Sequence, residues 1–164
     1  MAVEIERKFL VRDDSWRQQV RSRTLLRQGY LAVNERCTVR VRVAGEAGWL
    51  TVKSQTPGPS RAEYELPLPG GDAEQLLQTL CPRPWIEKWR NLVIYENYEW
   101  EVDEFLGDNL GLVVAEIELE MPDEGFARPP WLGREVTGDV RYYNFKLATE
   151  PFGRWAPGTP GAPG

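Results

Sequence analysis

The sequence predicts an α+β chain, mainly β, whose strands carry one charged and one apolar face. Three observations predict it. Apolar and charged residues alternate with period two in most segments between turn signals. The charges on those segments are sorted, with acids on some strands and bases on others. Helical spacing is confined to one clear stretch, 72–80, and a shorter one after Ser15.

The first strand is Val3 to Leu10. Glu4, Glu6 and Lys8 share one face, and Val3, Ile5 and Phe9 the other, with Arg7 the exception. Its two carboxylates lie roughly 6–7 Å apart along the strand, a spacing that suits oxygen ligation of one or two divalent cations. Asp13, Asp14 and Ser15 are cap residues ahead of a short helix with Trp16 and Val20. Thr24 to Val33 reads as a strand. Cys37 to Val43 is the clearest strand, with Thr38, Arg40 and Arg42 on one face and Cys37, Val39, Val41 and Val43 on the other. A turn at Gly45 to Gly48 makes a hairpin with Trp49 to Lys53, where Thr51 and Lys53 share a face.

Gln55 to Pro59 is a loop. Arg61 to Leu66 alternates again, and Pro67 to Gly71 breaks it. The helix 72–80 is expected to be capped by Asp72, with Leu76, Leu77 and Leu80 on one face, and Pro82 and Pro84 stop it. Trp85 to Asn91 places Ile86, Lys88 and Arg90 together. Leu92 to Asn97 and Tyr98 to Phe105 are read as two further strands, the second with Glu99, Glu101 and Asp103 opposed to Tyr98, Trp100 and Val102. After a turn at Asp108-Asn109, Leu112 to Glu120 aligns Glu116, Glu118 and Glu120 on one face. Trp131 to Val136 has no decisive pattern. Val136 to Leu147 carries Asp139, Arg141, Tyr142, Tyr143 and Asn144. Residues 156–164, almost all Ala, Pro and Gly, are expected to be a disordered tail after a single domain over 1–155.

The 164 residues suffice for one domain with a real core. With 25 acidic and 20 basic residues, the net charge of −5 argues against a general nucleic-acid binder. The absence of histidine excludes His triads, His zinc ligands and a His general base. Cys37 and Cys81 have no metal-ligand spacing, and a reduced cytoplasmic setting with no membrane partner is expected. The tryptophans are expected mostly in packing roles.

Two arrangements accommodate the charged faces. In an open sandwich they are simply solvated. In a closed barrel they line a hydrated lumen, with an apolar outside covered by helices. Unpaired charges in such a lumen would be costly, so an acidic wall holding metal would face a basic wall holding phosphate. The ligand implied is a compact polyphosphate bridged to the acids by Mg²⁺ or Mn²⁺.

Glu4-Ile5-Glu6-Arg7-Lys8 matches the Glu-x-Glu-x-Lys signature of the CYTH superfamily, the triphosphate tunnel metalloenzymes. Gln28-Gly29-Tyr30-Leu31, Thr38 to Arg42, Leu50 to Lys53, Arg61-x-Glu63-x-Glu65, Lys88-x-Arg90, Trp100 to Asp103, Ala115 to Glu120 and Val136 to Asn144 follow in the order of that family. The resemblance runs from Val3 to Phe152 and is greatest to small bacterial members that hydrolyse inorganic triphosphate. It implies an antiparallel tunnel of roughly eight strands. It implies metal-site acids Glu4, Glu6, Glu116 and Glu118, supported by Asp103, Glu120 and Asp139, holding one or two ions. It implies that Lys8, Arg40, Arg42, Lys53, Lys88 and Arg90 bind the phosphates and serve catalysis, with Arg141 a further binder. Glu63 and Glu65 are expected to orient bases. Tyr30 is either an orienting hydroxyl or a packed aromatic. The protein is expected to be a monomer or homodimer.

Phe145-Lys146-Leu147 departs from relatives that carry small hydroxyl residues there, which either alters the tunnel mouth or leaves it untouched. Rival readings are a class IV adenylyl cyclase, a thiamine-triphosphatase or nucleoside triphosphatase, a non-catalytic polyphosphate sensor, and a ligand-free structural barrel. The first two need an organic pocket that the sequence does not display.

Overall fold

A computed structural model describes residues 2–69 and 71–158. The expected tail falls largely on 159–164, outside the described residues. Nine strands form one antiparallel sheet: β1 (Ala2–Val11), β2 (Val20–Val33), β3 (Cys37–Ala44), β4 (Ala47–Ser54), β5 (Ser60–Leu68), β6 (Ile86–Tyr95), β7 (Tyr98–Phe105), β8 (Val113–Glu118) and β9 (Leu132–Glu135). Their order is β5-β4-β3-β2-β6-β7-β8-β1-β9. The sheet closes because β5 also pairs with the first half of β1, Ala2 opposite Glu63 and Ile5 opposite Ser60. Eight strands therefore make the barrel. The ninth, β9, pairs with the far half of β1, Phe9 opposite Glu135.

The register carries the sequence alternation around the ring. Lys8 lies opposite Glu116, Glu101 opposite Glu116, Arg90 opposite Asp103 and Arg40 opposite Thr51. Directly paired residues share a face, so these groups all turn inward. Their neighbours Phe9, Val41, Trp100, Val102 and Ala115 turn outward and are fully buried. The outward face is covered in two places. One cover is α1 (Asp72–Leu80), whose Ala73 and Leu77 pack on Val41 and Val43. The contact is close enough to require glycine: a Cβ on Gly48 would stand 2.2 Å from the Ala73 Cβ, and one on Gly29 2.6 Å from the Cys81 Cβ. The other cover is Trp16, Trp131 and Phe126 over Phe9 and Trp100, with rings edge to face. Helices thus cover only part of the barrel, and Val3, Tyr64 and Leu66 on β1 and β5 stay exposed.

At one end of the barrel the inward row turns apolar. Leu10, Ile86, Phe105, Leu112 and Val114 meet Tyr142, Leu147 and Phe152. The chain that supplies this plug is a 3-10 turn, Val140–Tyr142, then α2 (Asn144–Leu147) and a second 3-10 turn, Phe152–Arg154. The stretch 136–147 therefore helps to plug this end of the barrel.

Several boundaries differ from the sequence reading. The two strands expected over Trp85 to Asn97 are one, β6, and the turn falls at Glu96-Asn97, where Glu96 has φ 51°. Asn91 sits mid-strand because its side chain donates to the Val102 carbonyl at 3.0 Å and to Glu104 at 3.1 Å, which satisfies a polar group that would otherwise break the run. Asp72 does not cap α1: Gly71 occupies that position, and Asp72 lies in the first turn. The short helix after Asp14 is a 3-10 turn, Ser15–Gln19. The patternless stretch near Trp131 is β9. Among the described residues no helix is long and apolar enough to cross a membrane.

Candidate active site

The barrel encloses a cavity of about 900 Å³. The ring order sorts its charges into two arcs. Adjacent strands β5, β1, β8 and β7 bring Glu63, Glu65, Glu4, Glu6, Glu116, Glu118 and Glu101. The other four, β4, β3, β2 and β6, bring Lys53, Arg40, Arg42, Tyr30, Lys88 and Arg90. Lys8 and Arg61 are the two cations that line the cavity from the acidic arc. Opposed walls, expected from the sorting of charge by strand, follow from this strand order.

The two seams between the arcs are closed by ion pairs. At one, Lys53 Nζ donates to both oxygens of Glu4 at 2.8 and 2.9 Å and lies 3.2 Å from Glu63. Burial raises the Glu4 carboxyl, and the charge and hydrogen bonds of Lys53 outweigh it, so the net displacement is downward. At the other seam, Arg90 forks both Asp103 oxygens at 2.8 Å, Lys88 Nζ lies 2.7 Å from Asp103, and Arg90 also pairs with Glu101. Lys88 is displaced downward to about 7 by burial and by the Arg90 and Arg42 charges, against the pull of Asp103. Lys88 also donates to Asn144 Oδ1 at 2.8 Å, an oxygen that accepts from Gln28 Nε2 at 3.1 Å.

Away from the seams each arc carries excess charge. In the basic arc, Arg40 Nη2 donates to Thr51 Oγ1 at 3.2 Å, and its buried Nε has no hydrogen-bond partner among the described residues. Arg42 Nε donates to Gln28 Oε1 at 2.9 Å, and among the described residues no carboxylate forms an ion pair with it. Burial and the charges of Arg40 and Arg90 push Arg42 down to about 9, which leaves it charged at neutral pH. A buried donor without a partner is costly, and an anion would satisfy it.

In the acidic arc, Glu6 is pushed up to about 8 by burial, then by the charges of Glu116 and Glu4, with Lys53 and Lys8 opposing. Glu116 is held well below the ordinary carboxylate range: burial raises it, but Lys8 (3.2 Å), Arg90 and Lys88 prevail, and the Glu6 carboxyl donates to it. Glu118 is raised by burial and by Glu4, Glu63 and Glu101. Glu120 lies exposed at the cavity rim.

The acids fit a divalent cation. They are all hard oxygen donors, burial and then the charges of Glu116 and Glu4 raise the Glu6 carboxyl, and a doubly charged ion would relieve their repulsion. Among the described residues no three of them are gathered into a finished cage. Glu4, Glu6, Glu116 and Glu118 are the residues that would close on the ion.

Three sequence expectations are corrected by placement. Asp103 is fully buried behind Lys88 and Arg90 and does not line the cavity, so it holds those bases in place. Asp139 caps the 3-10 turn of the plug, accepting from the Arg141 backbone N–H at 3.2 Å and pairing with its guanidinium at 2.6 Å. Arg141 also lies against the rings of Tyr142 and Trp155, so neither residue is a cavity wall. The physical reason is that their segment leaves the strand alternation. Tyr30 lines the cavity with its ring edge to face on Phe145 at 6.5 Å, and its hydroxyl accepts from Gln28 Nε2 at 3.4 Å. Of the departing triplet, Phe145 lines the cavity, Lys146 pairs outside with Glu150 at 2.9 Å, and Leu147 is buried in the plug.

Arg61 and Tyr143 were missed by sequence reasoning as cavity residues, and Phe145 was named only in the triplet that either alters the tunnel mouth or leaves it untouched. Arg61 shares strand parity with Glu63 and was findable by it. The two aromatics come from the plug, where no periodicity assigns a face.

A CYTH domain model matches residues 2–147. The chain is 49% identical over 154 residues to an inorganic triphosphatase of Acetivibrio thermocellus, covering 93% of this chain and 97% of that protein. It is 36% identical over 149 residues to an inorganic triphosphatase of Nitrosomonas europaea, covering 88% and 96% respectively. Among solved structures it is similar to the inorganic triphosphatase NE1496, with a TM-score of 0.62 and 35% identity over 90% of this chain and 95% of that one.

Proposed function

The chain belongs to the CYTH domain family, and we propose that it hydrolyses inorganic triphosphate to pyrophosphate and phosphate with the help of a divalent cation. One observation carries the reading: a cavity of two facing arcs in which the guanidiniums of Arg40 and Arg42 have no carboxylate partner among the described residues, opposite the clustered carboxylates of Glu4, Glu6, Glu116 and Glu118. Such a lining is complete when a polyanion and a cation enter together.

Arg40 and Arg42 fork the phosphate oxygens, and Lys88 and Arg90, oriented by Asp103, add charge beside them. Lys8 and Lys53 bring positive charge to the acid side of the substrate. Glu4, Glu6, Glu116 and Glu118 would hold Mg²⁺ or Mn²⁺, which supplies Lewis acidity and neutralises phosphate charge. Water adds to the terminal phosphorus, the P–O–P bond breaks and pyrophosphate leaves. The bases stabilise the charge that spreads over the equatorial oxygens as that bond loosens. The chain has no histidine, so the water proton goes to a carboxylate of the acidic arc or to the phosphate itself.

The test is phosphate release from inorganic triphosphate with and without Mg²⁺. No release above background in Mg²⁺ or Mn²⁺ rejects the proposal. A second reading, hydrolysis of organic triphosphates, is favoured by one observation. A smaller apolar pocket of about 270 Å³, lined by Leu26, Trp49 and Leu92, adjoins the cavity at Arg42 and Arg90. ATP and thiamine triphosphate turned over faster than inorganic triphosphate would establish that reading instead.

A further inference from the structure

Arg61 stands apart from the other cavity bases. It is one of two cations on the acidic arc, and unlike its companion Lys8 it makes no ion pair with a carboxylate among the described residues. Its guanidinium instead lies 4.5 Å from the centroid of the Tyr143 ring. Lys8 Nζ lies 5.5 Å from the same ring. Tyr143 comes from the plug, so the C-terminal segment reaches back and supports both cations from one side.

This arrangement gathers like charges where an anion would resolve their repulsion. The negative face of the ring offsets part of it, as a cation over an aromatic face is attracted to the quadrupole. The ring leaves the planar N–H fork of Arg61 uncommitted, whereas a carboxylate would have saturated it. The cavity position then leaves that fork available to oxygens of a guest.

We propose that Arg61 is a further substrate-binding residue, taking phosphate oxygens from the acidic side of the cavity, and that Tyr143 is the positioning residue that holds it there. The inference rests on the triphosphate reading and adds a second phosphate contact, beside Lys8, from the arc that carries the metal-site acids. It gives the plug a second task besides closing the barrel: Tyr143 ties the far end of the chain to the substrate site.

The test separates this inference from the broader reading. Wild-type phosphate release from inorganic triphosphate is measured first, and the broader reading stands or falls on it. Calorimetric binding of inorganic triphosphate in a chelator then examines Arg61 without turnover. Arg61→Ala should weaken binding roughly ten- to a hundredfold, the range of a charge-assisted contact, and Arg61→Lys by less. Tyr143→Phe keeps the ring and should stay within about twofold of wild type, while Tyr143→Leu should lose roughly three- to tenfold. Thermal unfolding of each variant monitors the fold. Wild-type affinity in a folded Arg61→Ala protein overturns the proposal, and equal losses in Tyr143→Phe and Tyr143→Leu overturn the positioning role of the ring.

Discussion

Lowering the pH from about 8 to about 6 should weaken divalent-cation binding by about fiftyfold, and Glu6→Gln should remove most of that dependence. Glu6 is buried beside Glu116 and Glu4, and its carboxyl is pushed up to about 8. Glu116 is ionised throughout this range because Lys8, Arg90 and Lys88 hold it down. A cation held by Glu6 would need that carboxyl ionised. Below its raised pKa the proton must leave first, so affinity falls as pH drops through about 8, approaching tenfold per pH unit. At about pH 7 roughly nine-tenths of Glu6 is protonated, so each Mg²⁺ bound should release close to one proton. Calorimetry in buffers of different ionisation enthalpy counts those protons directly. Glu118, also raised, leaves a residual dependence in the variant. Flat affinity across this range in the wild type, or an unchanged slope in Glu6→Gln, would refute the assignment of Glu6 to the cation.

Other outcomes follow from the same geometry. Arg40→Ala removes a guanidinium whose Nε has no hydrogen-bond partner among the described residues, and should lower kcat/KM for triphosphate by a factor equivalent to about 1.5–3 kcal/mol without loss of fold; wild-type steady-state kinetics would count against an anion role. Asp103→Ala leaves Lys88 and Arg90 without their shared partner and should cost about 3–5 kcal/mol of stability in urea unfolding, with an unchanged midpoint contradicting the buried-pair account. Gly48→Ala drives a methyl into the Ala73 Cβ and should destabilise by about 1–3 kcal/mol, and adding Ala73→Gly should recover part of it; failure of that recovery would mean that the contact with α1 is not the cause.

Much of the cavity was legible because strand side chains alternate strictly. Once Glu4, Arg40, Lys53, Lys88 and Glu116 were placed on charged faces, closure of the sheet left them nowhere to go but inward. Asp103 shows the limit of that logic. It has the right parity, yet Lys88 and Arg90 close over it, and depth along the barrel axis is not written in alternation. Asp139 and Arg141 fail for a different reason. They sit in the plug, where 3-10 geometry replaces the two-residue period and local capping claims the carboxylate. The apolar pocket beside Trp49 was invisible for the same kind of reason: Leu26, Trp49 and Leu92 come from three strands that meet only in the closed sheet.

The sequence by itself determined the two-faced strands, the sorting of acids and bases between them, and the family signature at Glu4 to Lys8. These are local properties, set by a two-residue period and by which residue types occupy it. Only the tertiary structure decided the order of strands around the ring, and with it the contiguous arcs, the ion-paired seams and the placing of Arg40 and Arg42 against Thr51 and Gln28 rather than a carboxylate. It alone brought Tyr143 from the chain's far end to Arg61. The reason is that strand neighbours are chosen by long-range pairing and by closure of β5 on β1, which no local period encodes.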